Sequence, residues 1–249
     1  MGPIGAFWQS TIGKKVVMAV TGLAMIGFVI GHVSGNLLVF RGPEAINSYA
    51  ALLKSLGGFL WAARIGLIVS VVLHFTAAWQ LTQAARAARP ADYAMRTPQV
   101  STLASRTMRW GGVLLLVFIV FHLAHFTLGW VDRTTFSETD VFSNMMVAFA
   151  NPWYVAFYLV AMVALALHLF HGAWASVRTL GVSKPSRHPL HRRIATVLAV
   201  GIWLAFTVIP VGIYLGFATR AGTGTTAAGL IAPDSTATAA ASAAARTTP

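Results

Sequence analysis

The sequence predicts an all-α integral membrane protein, a bundle of five transmembrane helices. Of its 249 residues, 57% are hydrophobic and only 10% are charged, whereas about a quarter of the residues in a soluble domain are charged. Five apolar stretches reach the roughly 20 residues that a bilayer-spanning helix needs, and none contains Asp or Glu. They cover approximately residues 16–40, 62–84, 111–130, 153–176 and 194–217.

The distribution of basic residues predicts the orientation of this bundle. The net charge of +12 could indicate a nucleic-acid partner, but 12 of the 18 Lys and Arg residues fall in alternate connections, which argues against such a partner. The positive-inside rule places these connections, and the amino terminus, in the cytoplasm and the carboxyl terminus outside. The 12 residues are Lys14, Lys15, Arg86, Arg89, Arg96, Arg106, Arg109, Arg178, Lys184, Arg187, Arg192 and Arg193.

The segments before the second helix are expected to lie at the membrane surface. Residues 1–15 read as an interfacial lead-in with Phe7 and Trp8 at headgroup level. The first apolar stretch is too long for a signal-peptide core and has no A-x-A site, so we expect a retained helix. After it, apolar residues from Ile46 to Leu56 recur at helical spacing, which predicts a short amphipathic helix on the outer surface.

The later connections differ in charge. Residues 85–110, with Pro90 and Pro98, and residues 178–193 are basic and predicted to be cytoplasmic loops, and residues 131–152 are predicted to be an acidic outer loop. In the second basic loop, His188 and His191 are expected to be surface residues. Residues 1–217 therefore form the transmembrane domain, and the Ala/Thr-rich tail 218–249 is expected to be disordered.

Four histidines, one in each of the first four apolar stretches, are the candidate functional residues. His32, His74, His122 and His168 would be costly in lipid without a partner, so each is a functional hypothesis. Neutral histidines on facing helices are standard axial ligands of haem. Because the chain has no cysteine, it can hold neither a thiolate-bound iron–sulfur cluster nor c-type haem.

The depth of each histidine predicts how the four are paired. His74 precedes Arg86 by 12 residues and His168 precedes Arg178 by 10, so both lie roughly 15–18 Å from the cytoplasmic end at about 1.5 Å per residue. His32 and His122 lie nearer the outer face. The sequence therefore predicts one haem between His74 and His168 and a second between His32 and His122.

Other residues in the apolar stretches leave several roles open. His125 and His171 follow two of these histidines by three residues, and they could be alternative ligands, haem-propionate partners, quinone donors or interfacial residues. Gly27, Gly31 and Gly35 form a stripe that favours helix packing or lets a porphyrin lie against the backbone.

Several motifs together resemble a known family. GKKVVMAVTGL, GHVSGN, GPEAINSYA, VFHLAHF and LHLFHGAW are similar to the single-chain, five-helix, two-haem cytochrome b subunit of succinate:quinone oxidoreductases, the succinate dehydrogenases and fumarate reductases. The resemblance covers residues 10–217. It implies that His32, His74, His122 and His168 are the haem ligands, since the family's fourth-helix ligand resembles the first His of H-x-x-[HN]-G. It thus favours His168 over His171, and likewise His122 over His125.

The resemblance also implies cofactors and partners. It implies two b haems, a quinone, with menaquinone the expected type, and a flavoprotein subunit with covalent FAD and an iron–sulfur subunit on the cytoplasmic face. Electrons would pass between succinate, these centres and quinone. No succinate-oxidising residue is expected in this chain, so its enzymatic role would exist only within the complex, in the cell membrane.

The quinone site is not assigned by these patterns. For each polar residue at the helix ends, interfacial anchoring is the favoured interpretation over quinone binding. These residues are Asn36, Glu44 and Arg64 outside and Trp8, Arg86 and Arg178 inside.

Two alternative functions can be separated from this interpretation. A cytochrome b subunit of a formate dehydrogenase or hydrogenase would share the haem chemistry and differ in its partner. A metal-ion transporter usually has broken helices or paired acidic residues near the midplane, and this sequence predicts neither.

Overall fold

Every regular element is helical in the part of the chain that the computed structural model describes, residues 2–88, 102–184, 186 and 188–218. Five of these helices, α2, α4, α5, α7 and α8, are long and apolar enough to cross a membrane, which confirms the predicted all-α, five-helix architecture. The helices are α1 (Pro3–Gln9), α2 (Thr11–Asn36), α3 (Pro43–Ser55), α4 (Gly58–Ala87), α5 (Leu103–Phe126), α6 (Val141–Ala150), α7 (Pro152–Thr179) and α8 (His188–Tyr214). A 3-10 segment, Leu37–Arg41, extends α2.

Parts of two predicted segments lie outside the described residues. The tail 218–249 is described only at Ala218, and the predicted basic loop 85–110 is not described over residues 89–101. After this gap, α5 begins at Leu103, eight residues before the predicted start. The helix starts here because the Thr102 hydroxyl caps it by accepting a hydrogen bond from the Ser105 N–H at 3.2 Å. Arg106 and Arg109 therefore lie on a helix, not in a loop.

The amino-terminal elements follow the sequence closely. Ser10 separates α1 from α2, and its hydroxyl accepts a hydrogen bond from the Gly13 N–H at 2.8 Å, which caps α2. The predicted amphipathic helix is present as α3, with Ile46 2% exposed and Leu52 59% exposed. Gly42 precedes it with a φ of 96°, a conformation that a residue with a side chain rarely adopts.

The prediction that residues 131–152 form a loop is wrong over Val141–Ala150, which is α6. This helix is capped by Asp140, whose side chain accepts from the Ser143 N–H at 3.0 Å, and Phe142 and Met146 on it are fully buried. Asn47 of α3 holds it: its amide donates to Asp140 Oδ1 at 3.0 Å, and its carbonyl accepts from the Phe142 N–H at 3.0 Å. A ten-residue helix is too short to span a bilayer, so it packs across one end of the bundle.

The two ends of the bundle therefore differ. At one end α3, α6 and the connection 127–140 cover the helices, and we call it the capped end. At the other, which we call the basic end, α2, α5 and α8 begin and α4 and α7 end. The described basic residues on or next to these helix ends are Lys14, Lys15, Arg86, Arg106, Arg109, Arg178, Lys184, Arg192 and Arg193.

Helix α7 is the centre of the packing. It contacts α2, α5 and α8, and α2 in turn contacts α4. The main core lies near the capped end and includes Val39, Phe142, Met146 and Ile213. On the outside, large apolar side chains such as Ile68 and Val197 are 59% and 73% exposed. Such exposure is costly in water and is expected of a surface that faces lipid.

Candidate functional site

The four histidines come together as two pairs. His32 on α2 faces His122 on α5, with ring centroids 5.7 Å apart and ring planes at 87°. His74 on α4 faces His168 on α7, with centroids 6.1 Å apart and planes at 51°. These are the partners expected from helix depth. We call His74 and His168, nearer the basic end, the inner pair, and His32 and His122 the outer pair.

The spacing within each pair fits one metal ion held between two imidazoles. A metal–imidazole bond is about 2 Å long, so two ligands on opposite sides of one ion have ring centres about 6 Å apart. The two measured separations, 5.7 and 6.1 Å, are close to this value. All four rings are half-buried.

His74 is oriented by the backbone of the neighbouring helix. Its Nδ1 lies 3.0 Å from the Met18 carbonyl oxygen and 3.3 Å from Thr21 Oγ1. A carbonyl can only accept a hydrogen bond, so Nδ1 carries the proton and Nε2 is left as a free electron-pair donor. Gly22 makes room for the ring, because a Cβ at this position would lie 3.2 Å from His74 Cε1.

His168 borders an apolar cavity of about 210 Å³ between α5 and α7. Its Nδ1 is buried and has no hydrogen-bond partner among the described residues. A buried imidazole nitrogen without a partner is rare in proteins. The unmet nitrogen beside an apolar space fits a site for an apolar group that also carries a metal. The cavity is lined by Thr107, Met108, Gly111, Leu114, Val160, Val163, Ala164, Leu167 and His168.

His32 has a different local environment. Its ring stacks on Phe28 with centroids 5.3 Å apart, and its Nε2 accepts a hydrogen bond from the Asn36 amide at 3.2 Å. If His32 coordinated iron through this nitrogen, the iron would replace the hydrogen bond from the Asn36 amide. Asn36, a quinone candidate in the sequence, is therefore placed next to a predicted ligand, one helical turn further along α2.

His122 is the start of a chain of hydrogen bonds. Its Nδ1 lies 3.3 Å from the Tyr158 hydroxyl, and the same hydroxyl lies 3.3 Å from His125 Nδ1. His125 Nε2 lies 2.8 Å from Asp132 Oδ2, and the His125 side chain is only 2% exposed. Both ring nitrogens of His125 are thus engaged, whereas no described residue is hydrogen-bonded to His122 Nε2. This geometry favours His122 over His125 as a metal ligand.

Sequence reasoning missed Asp132 and Tyr158 as members of this cluster. In the sequence, Asp132 is only one of several acidic residues in the predicted outer loop 131–152. The available signal was Gly129, which lies between His125 and Asp132 and allows the chain to turn back over the end of α5. No comparable signal marks Tyr158, which reaches the cluster from α7 through tertiary packing.

The glycine stripe on α2 divides into two parts. At Gly35 a Cβ would lie 2.4 Å from Tyr49 Cε1, so this glycine permits close packing of α3. At Gly27 and Gly31 a Cβ would have no described atom within 4 Å. Close packing against α3 therefore explains Gly35. Packing within the described chain does not explain Gly27 and Gly31, where the backbone of α2 beside His32 is uncovered.

The remaining candidates have local contacts. Glu44 and Arg86 are exposed. The guanidinium of Arg64 lies 5.1 Å from the Trp61 ring and that of Arg178 lies 5.4 Å from the Trp174 ring, an arrangement suited to interfacial anchoring.

Half-buried side chains complete the set of sequence candidates at the basic end. They are Trp8, His171, His188 and His191. His191 is less exposed than expected because its Nδ1 lies 2.6 Å from Ser183 Oγ, and His188 packs against Trp174 with ring centroids 5.2 Å apart.

Known proteins place this bundle in a family. The family described as succinate dehydrogenase/fumarate reductase transmembrane subunit matches residues 82–209, slightly more than half of the chain. The chain belongs to this family. It is therefore a multi-pass membrane protein, and the family separates it from metal-ion transporters and from formate dehydrogenase or hydrogenase subunits. The matched segment contains His122 and His168 of the two pairs.

A relative extends the similarity further along the chain. The succinate dehydrogenase cytochrome b558 subunit of Bacillus subtilis (strain 168) is 26% identical over 188 residues, which cover 73% of this chain and 84% of the relative. No solved structure matches the chain. The arrangement of the two histidine pairs within this family member therefore rests on the geometry given above.

Proposed function

We propose that this chain is the two-haem cytochrome b membrane anchor of a succinate dehydrogenase or fumarate reductase, passing electrons between an iron–sulfur subunit and membrane quinone. The observation that carries the proposal is that the four histidines form two pairs. In each pair the two rings face each other at the spacing of two ligands on one metal ion. The cytochrome b558 in the name of the Bacillus relative supports the same assignment.

The chain's own residues supply ligands, orientation and an apolar surrounding. His74 and His168 would hold the inner b haem, and His32 and His122 would hold the outer one. Haem supplies a reversible one-electron iron couple when bound. The Met18 carbonyl fixes the tautomer of His74 that has a free Nε2, and mostly apolar side chains line the cavity beside His168. The apolar stretches named above contain no Asp or Glu, so the proposal gives this subunit no carboxylate path for protons.

The basic end is proposed as the cytoplasmic docking face. The positive-inside rule orients it toward the cytoplasm, and the inner pair lies nearer to it than the outer pair does. An FAD-containing flavoprotein subunit and an iron–sulfur subunit would bind there, and succinate chemistry would occur in those partners. The quinone is proposed to be menaquinone.

The haem content of the purified complex tests this proposal. We expect a reduced-minus-oxidised spectrum of b type, and a pyridine haemochrome assay should give two haems per copy of this chain, because each histidine pair holds one. The amount of this chain, by which the haem content is divided, is measured by quantitative amino-acid analysis of the purified subunit. One haem or none per chain would overturn the two-haem assignment.

A further inference from the structure

The hydrogen-bond chain beside His122 has one arrangement of protons that leaves His122 Nε2 free. His122 Nδ1–H donates to the Tyr158 oxygen, the Tyr158 hydroxyl donates to His125 Nδ1, and His125 Nε2–H donates to Asp132. Every donor then has one acceptor, and the chain ends on a carboxylate. The same arrangement presents the unprotonated Nε2 of His122 for metal binding.

The fold holds the carboxylate in place over the end of α5. Gly129, with a φ of 62°, reverses the chain there, and a Cβ on it would lie 2.3 Å from Phe136 Cδ1. The Trp130 N–H donates to the Ala124 carbonyl at 2.8 Å, and the Phe136 N–H donates to the Asp132 carbonyl at 3.0 Å. Asp132 is therefore fixed by backbone bonds on both sides.

The surroundings of His125 strengthen its coupling to Asp132. Its ring stacks on Phe126 with centroids 4.4 Å apart and meets the edge of Tyr154 at 4.9 Å. Tyr158 itself is 5% exposed. Hydrogen bonds in such a low-dielectric setting are electrostatically stronger than in water, and successive bonds polarise one another.

We propose that Asp132, His125 and Tyr158 are positioning residues for His122, and that they lower the reduction potential of the outer haem. A metal-bound histidine that donates its second ring proton toward an anion becomes a more basic ligand, which favours the ferric state. The inner pair differs, because His74 donates to a neutral carbonyl. This inference rests on the proposed function, and it gives His125 the role of a relay between Asp132 and the ligand, not that of a ligand.

Potentiometric titration of the intact complex tests this role. In the Asp132→Asn variant we expect the ratio of reduced to oxidised outer haem, at a fixed ambient potential, to rise about tenfold, which is about 59 mV for a one-electron couple. The Tyr158→Phe variant, which breaks the chain by removing one oxygen, should shift the same haem in the same direction. The inner haem should not move. The outer haem is identified as the one that is lost in a His32→Ala variant.

A double variant and a matched acid separate the chain from a general charge effect. If Asp132 acts through Tyr158, the double variant Asp132→Asn with Tyr158→Phe shifts the potential no more than the larger single change does. Glu138→Gln removes an exposed negative charge from the same connection and should leave both potentials unchanged. Additive shifts in the double variant, or an equal shift in Glu138→Gln, would overturn the inference.

Two further outcomes distinguish a failure of this inference from a failure of the proposed function. Two haems with an outer potential that Asp132→Asn does not change would overturn this inference and leave the proposed function intact. Fewer than two haems in the unaltered complex would overturn the proposed function itself, and with it the role of these three residues.

Discussion

Replacing His74 or His168 with alanine is expected to remove the same haem, and replacing His32 or His122 is expected to remove the other. Each change deletes one of two axial ligands, and the rings of each pair lie within about the distance that one iron requires. Each variant should therefore retain one haem per chain instead of two. Potentiometric titration with optical detection identifies the surviving haem by its potential.

The surviving haem also serves as a folding control, because a misfolded bundle would hold neither. His191→Ala gives a matched histidine substitution outside both pairs, and it should retain both haems, since His191 bonds to Ser183 at the helix end. Loss of the same haem from His74→Ala and His122→Ala would contradict the pairing.

Neutralising basic residues at the basic end is the second change with a large expected effect. Replacing Arg86, Arg89 and Arg96 together with glutamine should weaken binding of the iron–sulfur subunit about tenfold, because exposed ion pairs contribute about 0.2–1 kcal/mol each and 1.4 kcal/mol corresponds to a factor of ten. Arg86 is exposed near the end of α4, while Arg89 and Arg96 lie outside the described residues. Capture of the tagged chain in mild detergent, with increasing salt, measures the partners that stay bound.

The comparison variant carries Arg133→Gln and Arg220→Gln, which remove charge from connections predicted to lie on the opposite side of the membrane. It should retain the iron–sulfur and flavoprotein subunits at salt concentrations that release them from the Arg86, Arg89 and Arg96 variant. Earlier release from the Arg133 and Arg220 variant would show that the docking face and the orientation are wrong.

The relative depth of the four paired histidines along their helices is a property that can be predicted from the sequence alone. The apolar stretches fix which helices cross the membrane, and counting from the basic residues to each histidine gives the relative depth of the rings. The partners His74 with His168, and His32 with His122, follow from depth because helices in a bilayer are confined to roughly parallel axes. The same argument leaves open which helices are neighbours, and that is settled by packing around α7.

The capped end is a part that the sequence did not predict. Residues 141–150 are apolar enough for a helix but too short for a span, so composition does not distinguish a buried helix from a loop. Asn47 holds α6 from 93 residues away along the chain, and no local pattern predicts such a contact. The same holds for Tyr158, which joins the His122 and His125 rings only because α5 and α7 pack together.

The number of haems in double variants tests most directly whether each histidine pair holds one haem. Changing both members of one pair and changing one member of each pair are expected to give different haem counts. Purified complex carrying His74→Ala with His168→Ala should contain one haem per chain, because both changes affect a single site. Complex carrying His74→Ala with His122→Ala should contain none, because each change empties a different site. The pyridine haemochrome assay, normalised to the amount of this chain, gives both numbers. Equal haem content in the two double variants would contradict the assignment of one haem to each histidine pair.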